Sequence, residues 1–397
     1  MLAIEGGEPQ RTKAFPAWPH YGEEEFSALS RVLKQGTWWR GEATEVAQFE
    51  AEFAAFHGSP FALAVTTGTH AAEVALLAHS VGPGDEVIVP ALGFVSAVTA
   101  VQRLGAVPVF ADCDLDTWNL SARSVSNLLR DATRAIIPVH IAGNSADMDA
   151  LTSTLNARKI AVIQDAAHAH GMRFRDKPVG SLSSTSCFSF QNAKLMTAGE
   201  GGAILFRDEE LFKRAFLFHN NGRVITDRYE HVVIGSNYRM NEFSGALLRE
   251  QLKRLPKQMA TREKNAEALR EYLSKIQGVI VQTVSVGTTR HSNYLIPFRL
   301  NGELLNGSSR EWFLNALKAE GIPAVRSYRP LFETETSRLS AEKNVDLTML
   351  RSRCPNACTI GDSGICLHHK VLLGDLQDVK DVAEAVAKIV ARRSRSP

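Results

Sequence analysis

CFSFQNAKLMTAGEGGAILF, residues 187–206, holds two short apolar runs on either side of a glycine-rich turn that carries Lys194. Neither run alternates polar with apolar residues. A strand that reads as one continuous apolar run is buried on both faces, which calls for a sheet covered by helices on both sides. Five more runs of this kind lie upstream: FALAV (61–65), EVIVP (86–90), VPVFA (107–111), AIIPV (135–139) and IAVIQ (160–164). Helical stretches separate them. Seven such runs between residues 60 and 240 predict a large α/β domain built on a parallel or mixed sheet. Ahead of it, Val46, Phe49, Phe53 and Phe56 recur at steps of three and four. Residues 43–57 therefore read as an amphipathic helix, stopped by Gly58.

Beyond residue 240 the strict alternation ends. Residues 240–275 read as a helix, with Leu247, Leu248, Leu252 and Leu255 among charges. Strand-like runs follow at 279–283 and 293–299, and helical runs at 309–319 and 375–391. That pattern predicts a smaller α+β domain over 251–397, with 1–250 forming an N-terminal segment and the large domain. A length of 397 residues agrees with about two or three domains.

Composition removes several classes of function. Hydrophobic residues make up 44% and charged residues 22%, so the chain is not a disordered one. Lys plus Arg is 45 against 43 for Asp plus Glu, a net charge of +2 that offers no footprint for nucleic acid. The basic tail, Arg392, Arg393 and Arg395, reads as a solvated end. The uncharged run Val87 to Gln102 carries Pro90, Gly93, Ser96 and Thr99 and falls short of the ~18–20 residues that span a bilayer. The opening MLAIEGGEPQRTK has no apolar signal core, and the five cysteines are scattered. A cytoplasmic protein is expected.

Ligands in open α/β sheets bind beyond the C-terminal ends of the strands. After FALAV come Thr66-Thr67-Gly68-Thr69 and a helical stretch, either an anion site at a helix start or a plain N-cap. After IAVIQ comes Asp165. A carboxylate ending so apolar a strand must be protonated or paired, with an Arg, with a helix N-terminus or with a cationic ligand. After CFSF comes Gln191-Asn192-Ala193-Lys194. A lysine there is either a surface residue in a turn or a desolvated amine able to form a Schiff base. All three features sit at strand ends of one sheet. Together they describe a pocket for pyridoxal 5'-phosphate, with one partner each for phosphate, ring nitrogen and aldehyde.

Other motifs do not compete well. No G-x-G-x-x-G, P-loop or H-E-x-x-H is present. Asp165, His168 and His170 could ligate a metal but lack a second cluster to complete the shell. Cys354, Cys358 and Cys366 with His368 and His369 lack paired C-x-x-C spacing and read as buried cysteines.

The motifs resemble those of the DegT-type sugar aminotransferases, which are fold-type-I pyridoxal phosphate enzymes. The resemblance spans nearly the whole chain: WWRG (38–41), VTTGTHAAEVAL (65–76), GPGDEVIVP (82–90), PVHIAGNSADMDAL (138–151), QDAAHAHG (164–171), SFQNAKLMTAGEGGA (189–203) and SNYRMNEF (236–243). It implies a large domain with a mixed seven-stranded sheet and a smaller α+β C-terminal domain. It implies that Lys194 holds the cofactor as a Schiff base and then moves protons as general acid and base. Asp165 would pair with the pyridine nitrogen. His168 would lie near the ring or its phenolic oxygen, Phe94 would stack on the ring, and Gly68, Thr69 and Ser189 would hold the phosphate. Asn237, with Arg239, would reach the phosphate from a second subunit, making a homodimer with shared active sites.

Most members of that family pass an amino group from L-glutamine or L-glutamate to a keto-sugar or keto-cyclitol, and this is the expected activity. Within the family, SFQNAKLMTAGEGG, QDAAHAHG and RCPN…LHHKVLL (353–373) look most like the 3-amino-5-hydroxybenzoate synthases. These dehydrate and aromatise an aminoshikimate-type ring, the alternative activity. His168 follows the synthase pattern, where many relatives have Gln. Thr67 stands where synthases usually have Asn, and Ser327–Phe332 lacks a His common in sugar-converting relatives. Substrate choice is expected near Trp38, Trp39, Arg40 and residues 326–332.

Overall fold

The apolar runs meet in one sheet. The computed structural model describes residues 1–155, 158–224, 229–305, 309–335 and 346–393. Arg395 of the basic tail lies outside the described residues. The strands are β1 (Phe61–Val65), β2 (Glu86–Pro90), β3 (Val107–Ala111), β4 (Thr133–Ile136), β5 (Ala161–Asp165), β6 (Arg173–Phe174), β7 (Lys177–Pro178), β8 (Thr185–Ser189) and β9 (Gly202–Phe206). Seven of them form a sheet in the order β1-β9-β8-β5-β4-β2-β3. Only β9 runs against the others, pairing antiparallel with β1 and β8. Every residue of β8 and β9 is buried, which is why both read as unbroken apolar runs.

One run behaves differently. AIIPV leaves the ladder after Ile136. Pro138 has no N–H to give a neighbouring strand, and the chain bends so that Val139 bridges to Asp165.

Helices cover the sheet. α1 (Glu23–Gln35) and α2 (Glu45–Phe56) precede it. α3 (Gly68–Ala78), α4 (Ser96–Arg103), α5 (Ala122–Leu128), α6 (Met148–Leu155) and α7 (Glu209–His219) follow β1, β2, β3, β4 and β9. The α3 face that meets β8 and β9 is made of small residues, Ala71, Ala75 and Ala78 among them, all fully buried. That lets the helix lie close to the strands.

The second unit opens with α8 (Glu242–Ser274). β10 (Val279–Val281), β11 (Thr288–Arg290), β12 (Leu295–Leu300), α9 (Gly302–Leu305), α10 (Arg310–Ala319), β13 (Ala324–Arg326), α11 (Leu347–Arg353), α12 (Pro355–Ser363), β14 (Gly364–His368) and α13 (Leu376–Arg393) follow. β10-β12-β14-β13 form an antiparallel sheet, and β11 joins the β6–β7 hairpin of the large domain. α8 serves two cores: Leu248, Leu252 and Leu255 pack with the large sheet, Leu269 and Leu273 with the small one. Residue 250 therefore falls inside one continuous helix. The start of the chain also joins the second core, through buried Leu2 and the ion pair of Arg11 with Asp378 at 2.7 Å. Among the described residues, no helix is long and apolar enough to cross a membrane.

Candidate active site

Because β1, β2, β5 and β8 are parallel, their C-terminal ends share one edge of the sheet. The loops that leave this edge enclose a cavity of about 520 Å³. Its wall includes Gly68, Thr69, Phe94, Asp165, His168, Ser189 and Lys194. These are the residues proposed from the sequence, except Asn237 and Arg239.

One side of the cavity is built from α3 and β8. The Thr67 hydroxyl caps α3 by accepting the His70 N–H at 3.1 Å. The Gly68 and Thr69 amides, in the first turn, have no helical acceptor and face the positive end of the dipole. A Cβ on Gly68 would lie 2.7 Å from Ser189 Cβ. Only glycine allows the helix start to close on the serine. Ser189 Oγ accepts the Gln191 N–H at 3.3 Å.

The lysine follows directly. The Gln191 carbonyl accepts the Lys194 N–H at 2.8 Å, and the Gln191 side chain accepts the Ala193 N–H at 2.8 Å. This turn carries Lys194 back over the strand end, where Nζ lies 4.7 Å from the centroid of the Tyr294 ring. Burial pushes the ammonium down to about 8, while the Asp165 carboxylate pulls it up. Burial likewise raises the Asp165 carboxyl, against the Ala167 N–H at 3.0 Å and the Lys194 charge. Asp165 thus has one oxygen held by backbone, in a setting where a cationic partner would be strongly favoured.

His168 is buried and stacked on Tyr294, ring centroids 4.2 Å apart and 23° from parallel. Burial and the Lys194 charge keep its ring well below the usual histidine range, so it is neutral. Phe94, 56% exposed, stands at the cavity mouth beyond β2. The donor set fits pyridoxal 5'-phosphate: free amides and a hydroxyl for the phosphate, a carboxylate for the ring nitrogen, an aromatic face and a partly deprotonated amine.

Other expectations land elsewhere. Asn237 is exposed, outside this cavity, and bridges to Asn220. Arg239 bonds Asn220 Oδ1 at 3.0 Å and lies 6.0 Å over the Trp39 ring. Trp38 and Trp39 are not in the wall, and Arg40 is committed to Glu50 at 2.8 Å. His170 packs against Phe188 and Phe190 instead of pointing to Asp165's cavity. Among the described residues no cluster of three metal-ligating side chains occurs.

Tyr294, Gln191, Glu200 and Ser96 also line the cavity, and sequence reasoning passed over them. Gln191 and Glu200 flank Lys194 within residues 187–206, so a signal was there. Tyr294 precedes β12 in the smaller unit, and nothing in sequence spacing links it to Lys194. Tyr328 came only as part of the 326–332 segment. The Leu331 N–H bond to Ala91 O, 2.8 Å, ties that segment to the end of β2.

Residues 19–387 match the model of the DegT/DnrJ/EryC1/StrS aminotransferase family. The chain is 45% identical over 386 residues to 3-amino-5-hydroxybenzoate synthase of Amycolatopsis mediterranei (strain S699), covering 96% of this chain and 99% of that protein. It is 36% identical over 413 positions to L-glutamine:2-deoxy-scyllo-inosose aminotransferase of Streptomyces fradiae, covering 98% and 97%. A crystal structure of 3-amino-5-hydroxybenzoic acid synthase superposes with a TM-score of 0.92 at 44% identity, over 96% of this chain and all of that one. With a fold-type-I architecture and a cavity that presents a lysine, an aspartate and an open helix start together, this chain belongs to the DegT/DnrJ/EryC1/StrS family of pyridoxal phosphate-dependent aminotransferases.

Proposed function

We propose that this enzyme dehydrates and aromatises an aminoshikimate-type ring, 5-amino-5-deoxy-3-dehydroshikimate, to 3-amino-5-hydroxybenzoate. The observation that carries this reading is the 45% identity to such a synthase over 96% of the chain, against 36% to the inosose aminotransferase. It favours the synthase over the amino-group transfer that most of the family performs. His168 in the cavity wall, neutral and stacked on Tyr294, supports it further.

The bound cofactor supplies a ring that accepts the electron pair left when a carbon beside the amine loses its proton. The rest falls to the chain. Lys194 Nζ is the base and acid that moves this proton, and burial brings it close to neutral pH. Asp165 keeps the ring nitrogen protonated. Gly68, Thr69 and Ser189 would hold the phosphate and so orient the cofactor toward Lys194 in the same cavity. Tyr294 and Phe94 exclude water on two sides.

We place the second copy of the chain in the active unit. The exposed position of Asn237, outside its own cavity, supports a role at a partner's site. Five unpaired cysteines support a reducing, cytoplasmic setting.

The deciding experiment presents the holoenzyme with 5-amino-5-deoxy-3-dehydroshikimate, and separately with L-glutamine followed by a keto-cyclitol. Aromatic product from the first, with the cofactor's visible absorption unmoved by glutamine, is expected. Discharge of that absorption by glutamine, with amination of the cyclitol and no aromatic product, would return the enzyme to the aminotransferases.

A further inference from the structure

Three side chains in the cavity wall, His168, Tyr294 and Tyr328, pack as one unit, and the reaction above leaves Tyr328 without a role. His168 lies flat against Tyr294 and nearly parallel to Tyr328, at 12° with ring centroids 6.3 Å apart. Both nitrogens of its ring are engaged. Ala142 has φ +61°, a left-handed conformation that L residues adopt rarely. That twist aims the Ala142 N–H at His168 Nδ1, 3.3 Å away. An amide N–H can only donate, so Nδ1 must be the lone-pair nitrogen. The single ring hydrogen of the neutral imidazole is then on Nε2, which meets Tyr328 Oη at 3.4 Å. The Tyr328 oxygen is an acceptor in that contact. Its own hydrogen is therefore free, and among the described residues no other partner of Oη is found. Tyr328 lines the same cavity as Lys194.

Burial favours this protonation state of both groups. Burial and the Lys194 charge hold His168 neutral. Burial, aided by Tyr294, Cys366 and Asp165, holds Tyr328 protonated. The cavity wall then holds an amine that can take a proton, Lys194, and a hydroxyl whose hydrogen His168 leaves free to give, Tyr328.

We propose that Tyr328 is the proton donor to the ring hydroxyl that leaves as water, with His168 and the Ala142 amide as the residues that fix its direction. This deepens the dehydration reading and rests on it. Lys194 takes the proton from carbon. The electron pair completes the new C=C bond as the C–O bond breaks. The departing oxygen takes the Tyr328 hydrogen and leaves as water. The proton gained by Lys194 then passes to the Tyr328 phenolate through that water, which restores both groups. The substrate has lost one hydrogen and one hydroxyl, and no oxidant or reductant is needed.

Two measurements test this on the holoenzyme. The first compares wild type with Tyr328→Phe on 5-amino-5-deoxy-3-dehydroshikimate in D₂O. Deuterium entering recovered substrate reports proton removal by Lys194, and aromatic product reports water loss. Exchange should stay within about threefold of wild type, while product formation falls about 100-fold or more. Equal losses of exchange and product, or unchanged product formation, would overturn the proposal.

The second needs no turnover. Calorimetry compares 3-hydroxybenzoate with benzoate on both proteins. The hydroxyl should add about tenfold in affinity on wild type and nothing on Tyr328→Phe. The same increment on both proteins would remove Tyr328 as the donor. Wild type that loses no water from the ring would reject the dehydration reading, and this second comparison would still decide what Tyr328 does.

Discussion

Gly68 and Ser189 touch across the start of α3 and the end of β8, so closely that a methyl group on Gly68 would sit 2.7 Å from the serine Cβ. The contact makes one anion cradle from two elements that are 121 residues apart in the chain. Gly68→Ala should push α3 off the strand. Overpacking of this kind costs about 1–3 kcal/mol, and the larger effect should fall on cofactor retention. A spectrophotometric titration should find cofactor binding weakened by at least about tenfold. A variant that binds as wild type does would mean that the cradle is not the phosphate site.

Lys194 titrates near 8 because burial disfavours its charge. Its folded-state value lies below the ordinary 10.5. The folded apoprotein therefore binds fewer protons than the unfolded chain between those two values. The penalty of burying the ammonium is fully present below pH 8 and fades as pH rises toward 10.5. Two outcomes follow for cofactor-free protein. Capture of pyridoxal 5'-phosphate should accelerate with pH and reach half its maximum near pH 8. Asp165→Asn, which removes the carboxylate that supports the charge, should move that midpoint lower. Stopped-flow absorbance reads both, and an upward shift in the variant would contradict the assignment.

Asp165→Ala leaves a cationic ring nitrogen without a counter-charge in a buried site. Breaking a buried ion pair by removing one partner costs about 3–5 kcal/mol, so affinity for the cofactor should fall by more than about 100-fold. Thermal unfolding of the cofactor-free variant should be near that of wild type, since Asp165 has a raised carboxyl and, among the described residues, Lys194 is the cation acting on it.

Arg11 ties the start of the chain to α13 through Asp378 at 2.7 Å and Asp381 at 2.6 Å, with both Arg11 and Asp378 almost fully buried. Burial pushes the Asp378 carboxyl up, but Arg11, the Asp375 amide and Lys13 outweigh it, and the group stays below 3.8. A depressed carboxyl stabilises the fold above its unfolded value, and that contribution is lost as pH falls through the folded value. Arg11→Met should destabilise the protein by about 3–5 kcal/mol at pH 7. The gap from wild type should narrow below about pH 4. Denaturant melts at the two pH values check the sign.

Composite active sites are the test of the shared dimer. Lys194→Ala and Asn237→Ala proteins, each shown to be inactive, should regain part of the wild-type rate when mixed. The hybrid carries one site with neither lesion. Subunit exchange without recovery would confine Asn237 to a role within its own chain.

Residue order was enough to read the long strands of the large sheet. Burial on both faces forces unbroken apolar runs, and those runs mark β1, β8 and β9 directly. Ligands in such sheets bind beyond the C-terminal strand ends, so residue order alone marked Gly68, Asp165 and Lys194 as candidates, and the structure puts all three in one cavity wall. The tertiary structure decided the rest. Tyr294 and Tyr328 come from the second unit and reach the cavity through long-range contacts, the Tyr294 N–H to Ala142 and the Leu331 N–H to Ala91. Neither contact leaves a periodic trace, because each depends on how two cores are docked along α8. The direction of the Tyr328 hydrogen depends on a single backbone twist at Ala142. A hydrogen-bond direction is a matter of angles between groups far apart in sequence, and residue spacing holds no record of it.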